Sequence, residues 1–228
     1  DYNRLLLILR KFELFTLVTC AIRKNGNAIQ LNEYVSKKYK FVHFFDNKIF
    51  IILPGAKDKK ELLTLHNYLH NFTVMDNQRC EVDAGVTYFP HNNYTKKQAI
   101  INCSKALIHA SYFEKQSFIE FDHVSLNISG DILFAEGNIT GAIREYRQGL
   151  KLNDSDINLL NSMGVAFITL NNSAKGVGCF KKVLALDHDN LMALYNLGLC
   201  SSHKKHREDA FQYFNKALEV IDPDKSGI

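Results

Sequence analysis

Apolar positions in the first half of the chain fall into short runs separated by polar breaks. Residues 3–9, apolar from Leu5 onward, read as a buried strand. Residues 13–23 carry Phe15, Leu17, Val18 and Ala21 and read as a helix, which Asn25 and Gly26 break. A second helix is expected over 28–38. Strands follow over 41–45 and 48–53, with Asp46 and Asn47 between them as a two-residue hairpin turn. Pro54 and Gly55 end the second of these. The pattern then predicts a helix over 59–69, a strand over 81–89, a long helix over 95–112 and a last strand over 117–121. Strands alternate with helices, yet one pair is an antiparallel hairpin. The expected architecture is therefore a mixed sheet with helices on its faces, a ferredoxin-like core with additions. No Gly-rich loop follows the first run, which argues against a Rossmann unit.

A different period governs the second half. Gly130, Gly164 and Gly198 are spaced 34 residues apart. The same spacing relates Leu126, Leu160 and Leu194, then Ala142, Gly176 and Ala210, then Tyr146, Phe180 and Phe214, then Leu150, Leu184 and Leu218. Each unit reads as a helical hairpin. In the third, a helix over 191–202 and a break over 202–206 precede a second helix over 208–220, with Ala210, Phe214, Ala217 and Leu218 on its buried stripe. Two helices approach closely only where a side chain is short. Gly198 and Ala210 supply such points, and Phe214 fills the space beside them. One hairpin cannot bury its apolar face alone, so units at 123–156, 157–190 and 191–224 are expected to stack as an α-solenoid of three helical hairpins. The fold class is thus α/β over 1–122 followed by all-α over 123–228.

These columns resemble the tetratricopeptide repeat (TPR) family. The family's proline near the repeat end is replaced here by Asp154 and His188, and Pro223 comes one place late, which leaves the helix ends open. The resemblance implies that first-helix side chains line a groove. Those positions are Val124, Asn127, Asp131 and Phe134, then Asn158, Asn161, Val165 and Ile168, then Met192, Tyr195, Leu199 and Ser202. Some members grip a C-terminal carboxylate with Lys, Arg and Asn in this groove. Here it holds Asn but no Lys or Arg, so an apolar or amide-rich protein segment suits it better than a chaperone tail. The alternative is that Val165, Ile168, Met192 and Leu199 pack on a further helix or on the neighbouring domain.

The first half resembles a GGDEF domain, the diguanylate cyclase family. The stretch Val82-Asp-Ala-Gly-Val-Thr-Tyr-Phe-Pro90 is similar to the strand before that family's last long helix. Residues 95–110 are similar to that helix, and Ile51-Ile-Leu-Pro-Gly55 to the strand leaving the signature hairpin. The resemblance implies a nucleotide-cyclase-like fold, but its chemistry is degenerate. Aligning on Leu53 and Pro54 puts the signature at Phe45, Asp46, Asn47, Lys48 and Ile49. Phe45 and Asp46 stand where two glycines would let guanine nucleotide approach. The signature carboxylates become Asn47 and Lys48, and the metal-binding Asp expected just after the first strand becomes Lys11, with Glu13 two residues on. Joining two nucleoside triphosphates requires divalent metal, which lysines cannot hold. The family's inhibitory Arg-x-x-Asp motif should fall at Ser36, Lys37, Lys38 and Tyr39, and is missing.

Composition narrows the classes further. The chain has 228 residues, 46% hydrophobic and 23% charged, which is a folding composition. Three prolines exclude a Pro-rich scaffold. No apolar run reaches the roughly 18–20 residues of a membrane span, and the run over 5–9 lacks a signal-peptide pattern, so no direct membrane insertion is expected. A start at Asp1 rather than Met, and a stop at Ile228 without a polar capping helix, lead to the expectation of flanking sequence. Cys20, Cys80, Cys103, Cys179 and Cys200 are odd in number and widely spaced, which suits free thiols in a reducing compartment. Residues 1–122 carry 17 Lys/Arg against 12 Asp/Glu, and the rest 11 against 12. That excess is modest and scattered, so nucleic acid is not an expected partner.

Other candidates have ordinary explanations. His66 and His70 stand at i, i+4 without a third ligand, so no metal is expected. His43 flanks a strand end. His203, Lys204, Lys205 and His206 read as a solvated basic turn. Lys37, Lys38 and Lys40 read as a solvated face, with an acidic partner as the alternative. No Ser/His/Asp or Cys/His/Asn order supports nucleophilic catalysis. The expected function is a non-catalytic signalling or scaffold protein, with a protein or peptide partner in the repeat groove and no cofactor. The GGDEF resemblance implies a bacterial, cytoplasmic setting and leaves homodimerisation open. The alternative is a guanine nucleotide or cyclic di-GMP sensor lacking turnover. A working cyclase is the remaining rival.

Overall fold

The computed structural model describes residues 1–55, 57–75, 80–113, 117–203 and 206–221, and its first element is a helix rather than the expected strand. The Asp1 carboxylate caps α1 (Tyr2–Leu9), accepting from the Arg4 amide at 2.8 Å. Leu5 and Leu9, four apart, are buried, while Leu7 between them is exposed. That is a helical stripe, and apolar length alone does not separate it from a strand. The helix expected over 13–23 is likewise a strand, β1 (Phe15–Lys24). Its first six residues are all buried. A strand covered on both faces loses the alternation that identifies strands in sequence. The β-branched Thr16, Val18 and Thr19 were the available signal.

The other expected elements form: α2 (Ala28–Ser36), β2 (Val42–Phe45), β3 (Lys48–Pro54), α3 (Lys59–Met75), β4 (Glu81–Phe89), α4 (Lys96–Ala110) and β5 (Phe118–Glu120). They build one mixed sheet in the order β2-β3-β1-β4-β5. Every neighbouring pair is antiparallel except β4 with β5, which run parallel. Successive β1 side chains point to opposite faces. Val18 and Cys20 join Leu31 and Val35 of α2 and Leu65 and Leu69 of α3 on one face. Phe15 and Leu17 join Leu5 and Leu9 of α1 and Cys103 of α4 on the other.

Two contacts fix this sheet against α4. A Cβ on Gly85 would lie 2.2 Å from the Leu107 amide nitrogen and 2.3 Å from the Cys103 carbonyl oxygen, so only glycine lets the helix lie this close to β4. At the far end of β1, Arg23 donates to both oxygens of Asp83, at 2.6 and 2.5 Å, and to the carbonyls of Ala110, at 2.8 Å, and Phe113. The bidentate geometry suits a guanidinium and a nearly buried carboxylate.

The chain forms two compact units, Asp1–Ser125 and Leu126–Ile228. The second is built from α5 (His123–Ala135) after its first turn, α6 (Ile139–Leu152), α7 (Ile157–Thr169), α8 (Ser173–Leu186), α9 (Leu191–His203) and α10 (Arg207–Ile221). Asn138, Asp156 and Asn172 cap α6, α7 and α8 through side-chain oxygens. The glycine column has the physical cause its period implies. A Cβ on Gly130, Gly164 or Gly198 would meet the ring of Tyr146, Phe180 or Phe214 at 2.3, 2.5 and 2.6 Å respectively. One expectation fails: Leu218 is 62% exposed, not buried. Leu150 and Leu184, its counterparts, pack against the core that runs from the second hairpin into the third. Leu218 has no later hairpin beside it among the described residues. Pro223 and the end of the third unit, residues 222–228, lie outside the described residues. Among the described residues, no helix is long and apolar enough to cross a membrane.

Candidate functional site

The candidate groove positions fall on α5, α7 and α9, the first helices of the three hairpins, and have unlike environments. In the third hairpin Met192, Tyr195 and Leu199 are 56%, 53% and 36% exposed. Their i, i+3, i+7 spacing puts them on one face of α9. The Tyr195 ring is steadied by Phe214, with centroids 5.9 Å apart. In the second hairpin Asn158 is exposed, while Val165 and Ile168 are half-buried against the core shared with the third. A Cβ on Gly176 would lie 2.5 Å from Ile168 Cδ1, so Ile168 also helps to close its own hairpin.

Asn161 is buried and donates from Nδ2 to Asn190 Oδ1 at 3.3 Å. The same Asn190 oxygen accepts from the Ala193 amide at 3.1 Å at the start of α9. Asn161 thus ties α7 to the first turn of the next unit. Its own Oδ1, like that of Asn127 one repeat earlier, is buried without a hydrogen-bond partner. In the first hairpin Asp131 accepts from the Tyr146 hydroxyl at 2.8 Å. Burial first, and then this carboxylate, raise the phenol's pKa. Phe134 packs with Leu133 and Ile139 on the core of the first two hairpins. Exposed apolar surface among these positions is therefore concentrated on α9.

The β2–β3 hairpin has the expected two-residue turn. Asp46 and Asn47 have φ of 53° and 54°, the left-handed pair of a type I′ turn. Phe45 pairs with Lys48 across the hairpin, and its ring lies edge-on to Tyr2, with centroids 5.3 Å apart. Lys48 Nζ is 3.1 Å from Asp46 Oδ2, and Ile49 is wholly buried. Lys11 and Glu13 lie between α1 and β1, ahead of the first strand, so neither holds the place assigned to them just after it.

The remaining candidates are dispersed. His66 lies edge-on to the Phe118 ring at 5.1 Å. His43 Nε2 is 3.3 Å from the Asp1 carbonyl, and burial lowers its pKa. Among the described residues, no three His, Cys, Asp or Glu side chains come together as a metal site requires. The five cysteines are free thiols, four of them buried. Burial pushes the Cys103 thiol up to about 11. Lys38 sits 4.5 Å from the Tyr68 ring centroid. His203 and His206 are exposed, while Lys204 and Lys205 lie outside the described residues.

Sequence reasoning missed one cluster. Lys57, Tyr88 and Glu120 come from the loop after β3, from β4 and from β5. Glu120 accepts from Lys57 Nζ at 2.6 Å and from the Tyr88 hydroxyl at 2.6 Å, and Lys57 lies 4.2 Å from the Tyr88 ring centroid. Burial pushes the Glu120 carboxyl up, but these two hydrogen bonds together with the charges of Lys57 and Lys59 outweigh it and hold the pKa below the ordinary value. No local pattern could have joined residues 63 positions apart.

Two family models match the chain, both in the helical unit. Residues 130–171 match a TPR repeat model and residues 193–223 a tetratricopeptide repeat model. No curated protein matches the sequence. Similar solved structures include a crystal structure of MamA, at 22% identity over 45% of this chain and 60% of that one, with a TM-score of 0.44. The match thus spans under two thirds of that protein. The second TPR of Spaghetti (RPAP3) bound to an HSP90 peptide is similar at 19% identity over 43% of this chain and 92% of that one, with a TM-score of 0.42.

Proposed function

We propose that the chain is a non-catalytic signalling or scaffold module whose TPR repeats bind a protein segment through α5, α7 and α9. The observation that carries this is the exposed strip Met192, Tyr195 and Leu199 at first-helix positions of a repeat. Three apolar side chains on one helical face suit an extended or helical segment with apolar anchors. Asn158 adds an uncharged hydrogen-bonding group one repeat away. The absence of Lys and Arg from these positions favours such a segment over an acidic tail.

The test is a pull-down with the intact protein beside Tyr195→Arg, with Leu218→Arg as a control apolar site on α10. Loss of one specific partner in Tyr195→Arg alone, with the circular dichroism spectrum and melting unchanged, supports the groove. Binding that survives Tyr195→Arg refutes it.

The finer reading of the sheet unit is a cyclase-like domain without turnover. It is supported by the run β2-β3-β1-β4 with antiparallel neighbours, the ferredoxin-like order, and by a tight turn at the signature position. Asn47 and Lys48 offer no carboxylate for magnesium, and Lys48 is already paired with Asp46. Incubation with GTP and magnesium or manganese is expected to give no cyclic di-GMP. Product formation would overturn this.

A further inference from the structure

The cluster Lys57, Tyr88 and Glu120 borders a cavity of about 400 Å³ in the sheet unit. That volume falls within the roughly 300–1,000 Å³ of small-molecule sites. Its walls are mainly aromatic and apolar, with Tyr88, Phe89, Tyr94 and Phe121 among them. It lies at the end of the sheet where Phe15 pairs with Phe89 and Pro54. The Asp46–Asn47 turn is at the other end, beyond the Cys20–Ile49 pair. The cavity is thus separate from the hairpin.

The charges at this cavity are matched to one another. Glu120 already accepts from both Lys57 and Tyr88, so neither ion calls for a charged ligand. Asn102 differs. It is only 5% exposed and lines the cavity from α4, one helical turn beyond Ala99, which also lines it. Its carboxamide is not among the buried groups shut away without a partner, and it lines the cavity, where a ligand can meet it. Each hydrogen bond that a ligand makes to it there is worth about 0.5–1.5 kcal/mol.

We propose that this cavity binds a free purine nucleoside, with Asn102 reading the edge of the base. A carboxamide presents a donor beside an acceptor in one plane. Adenine answers with its exocyclic amino group beside a ring nitrogen, and guanine with its oxo group beside N1–H. Flat bases stack on aromatic side chains, which the walls supply. An uncharged base suits a site whose own ions are internally paired.

The experiment is calorimetric titration of the full chain with adenosine, guanosine and purine riboside, which lacks the exocyclic group. Adenosine or guanosine binds, purine riboside binds at least about tenfold more weakly, and Asn102→Leu weakens binding about tenfold or more. Amide chemical-shift mapping on the unaltered protein keeps the idea testable if that variant fails to fold. Shifts must cluster at residues 86–91, 99–102 and 120–121. No binding of either nucleoside at about 1 mM, equal binding of purine riboside, unweakened binding by folded Asn102→Leu, or shifts centred on the Asp46–Asn47 turn would each overturn the proposal.

Discussion

Replacing Gly164 with alanine, and Gly178 with alanine beside it, separates helix propensity from repeat packing. Both glycines lie on helices of the second hairpin. Alanine at either gains about 0.8–1 kcal/mol of intrinsic helix stability. At Gly178 nothing lies within 4 Å of the new Cβ, so the gain stands and the variant is more stable. At Gly164 the Cβ would sit 2.5 Å from Phe180 Cε1 and 2.8 Å from Cζ. Phe180 is fully buried, so its ring has no solvent to move into. Overpacking of this kind costs about 1–3 kcal/mol. The two variants should therefore differ by about 1–3 kcal/mol, with Gly164→Ala the less stable. Urea titration followed by far-UV circular dichroism reads this as opposite shifts of the helical unit's midpoint at constant slope. Adding Phe180→Leu to Gly164→Ala frees space, so the pair should couple by about 0.5–3 kcal/mol. Equal midpoints for the two single variants would mean that the ring does not set the approach of these helices.

Other consequences concern the sheet unit. Asp83→Ala removes the bidentate carboxylate from the Arg23 guanidinium in a site where its side chain is 14% exposed, so a loss of about 3 kcal/mol is expected in chemical denaturation. The depressed Glu120 carboxyl contributes stability above its unfolded pKa, near the ordinary 4.5, and loses it as pH falls through the lower folded value. A pH series should then show that Glu120→Gln flattens part of the acid-side decline. An unchanged acid limb would mean that the bonds from Lys57 and Tyr88 do not favour the ionised form.

The helical unit was legible because its signal repeats. Five columns at one period locate the hairpins without help from distant contacts, and each glycine meets an aromatic ring of its own unit. The start of the sheet unit was not legible from apolar content. Residues 3–9 and 13–23 are both apolar and short, and what separates them is what covers them. A helix needs one buried stripe, here Leu5 and Leu9, while β1 is covered on both faces. The hairpin was legible because Asp46 and Asn47 tolerate left-handed backbone. Within the groove, sequence gave positions but not exposure. Phe134 and Tyr195 occupy first-helix positions, yet one packs into a core and the other faces solvent. Asn102 could not be found locally, since its interest depends on a cavity assembled from five separate segments.

Each glycine–ring contact closes within a single hairpin: Gly130 with Tyr146, Gly164 with Phe180, Gly198 with Phe214. A duplicated or transplanted unit would bring its own clasp with it and need only match its neighbours at the Leu150 and Leu184 seam. Lengthening or shortening this array by whole modules is therefore an easy change for the gene to tolerate, whereas trimming a few residues inside one would break both the clasp and the seam.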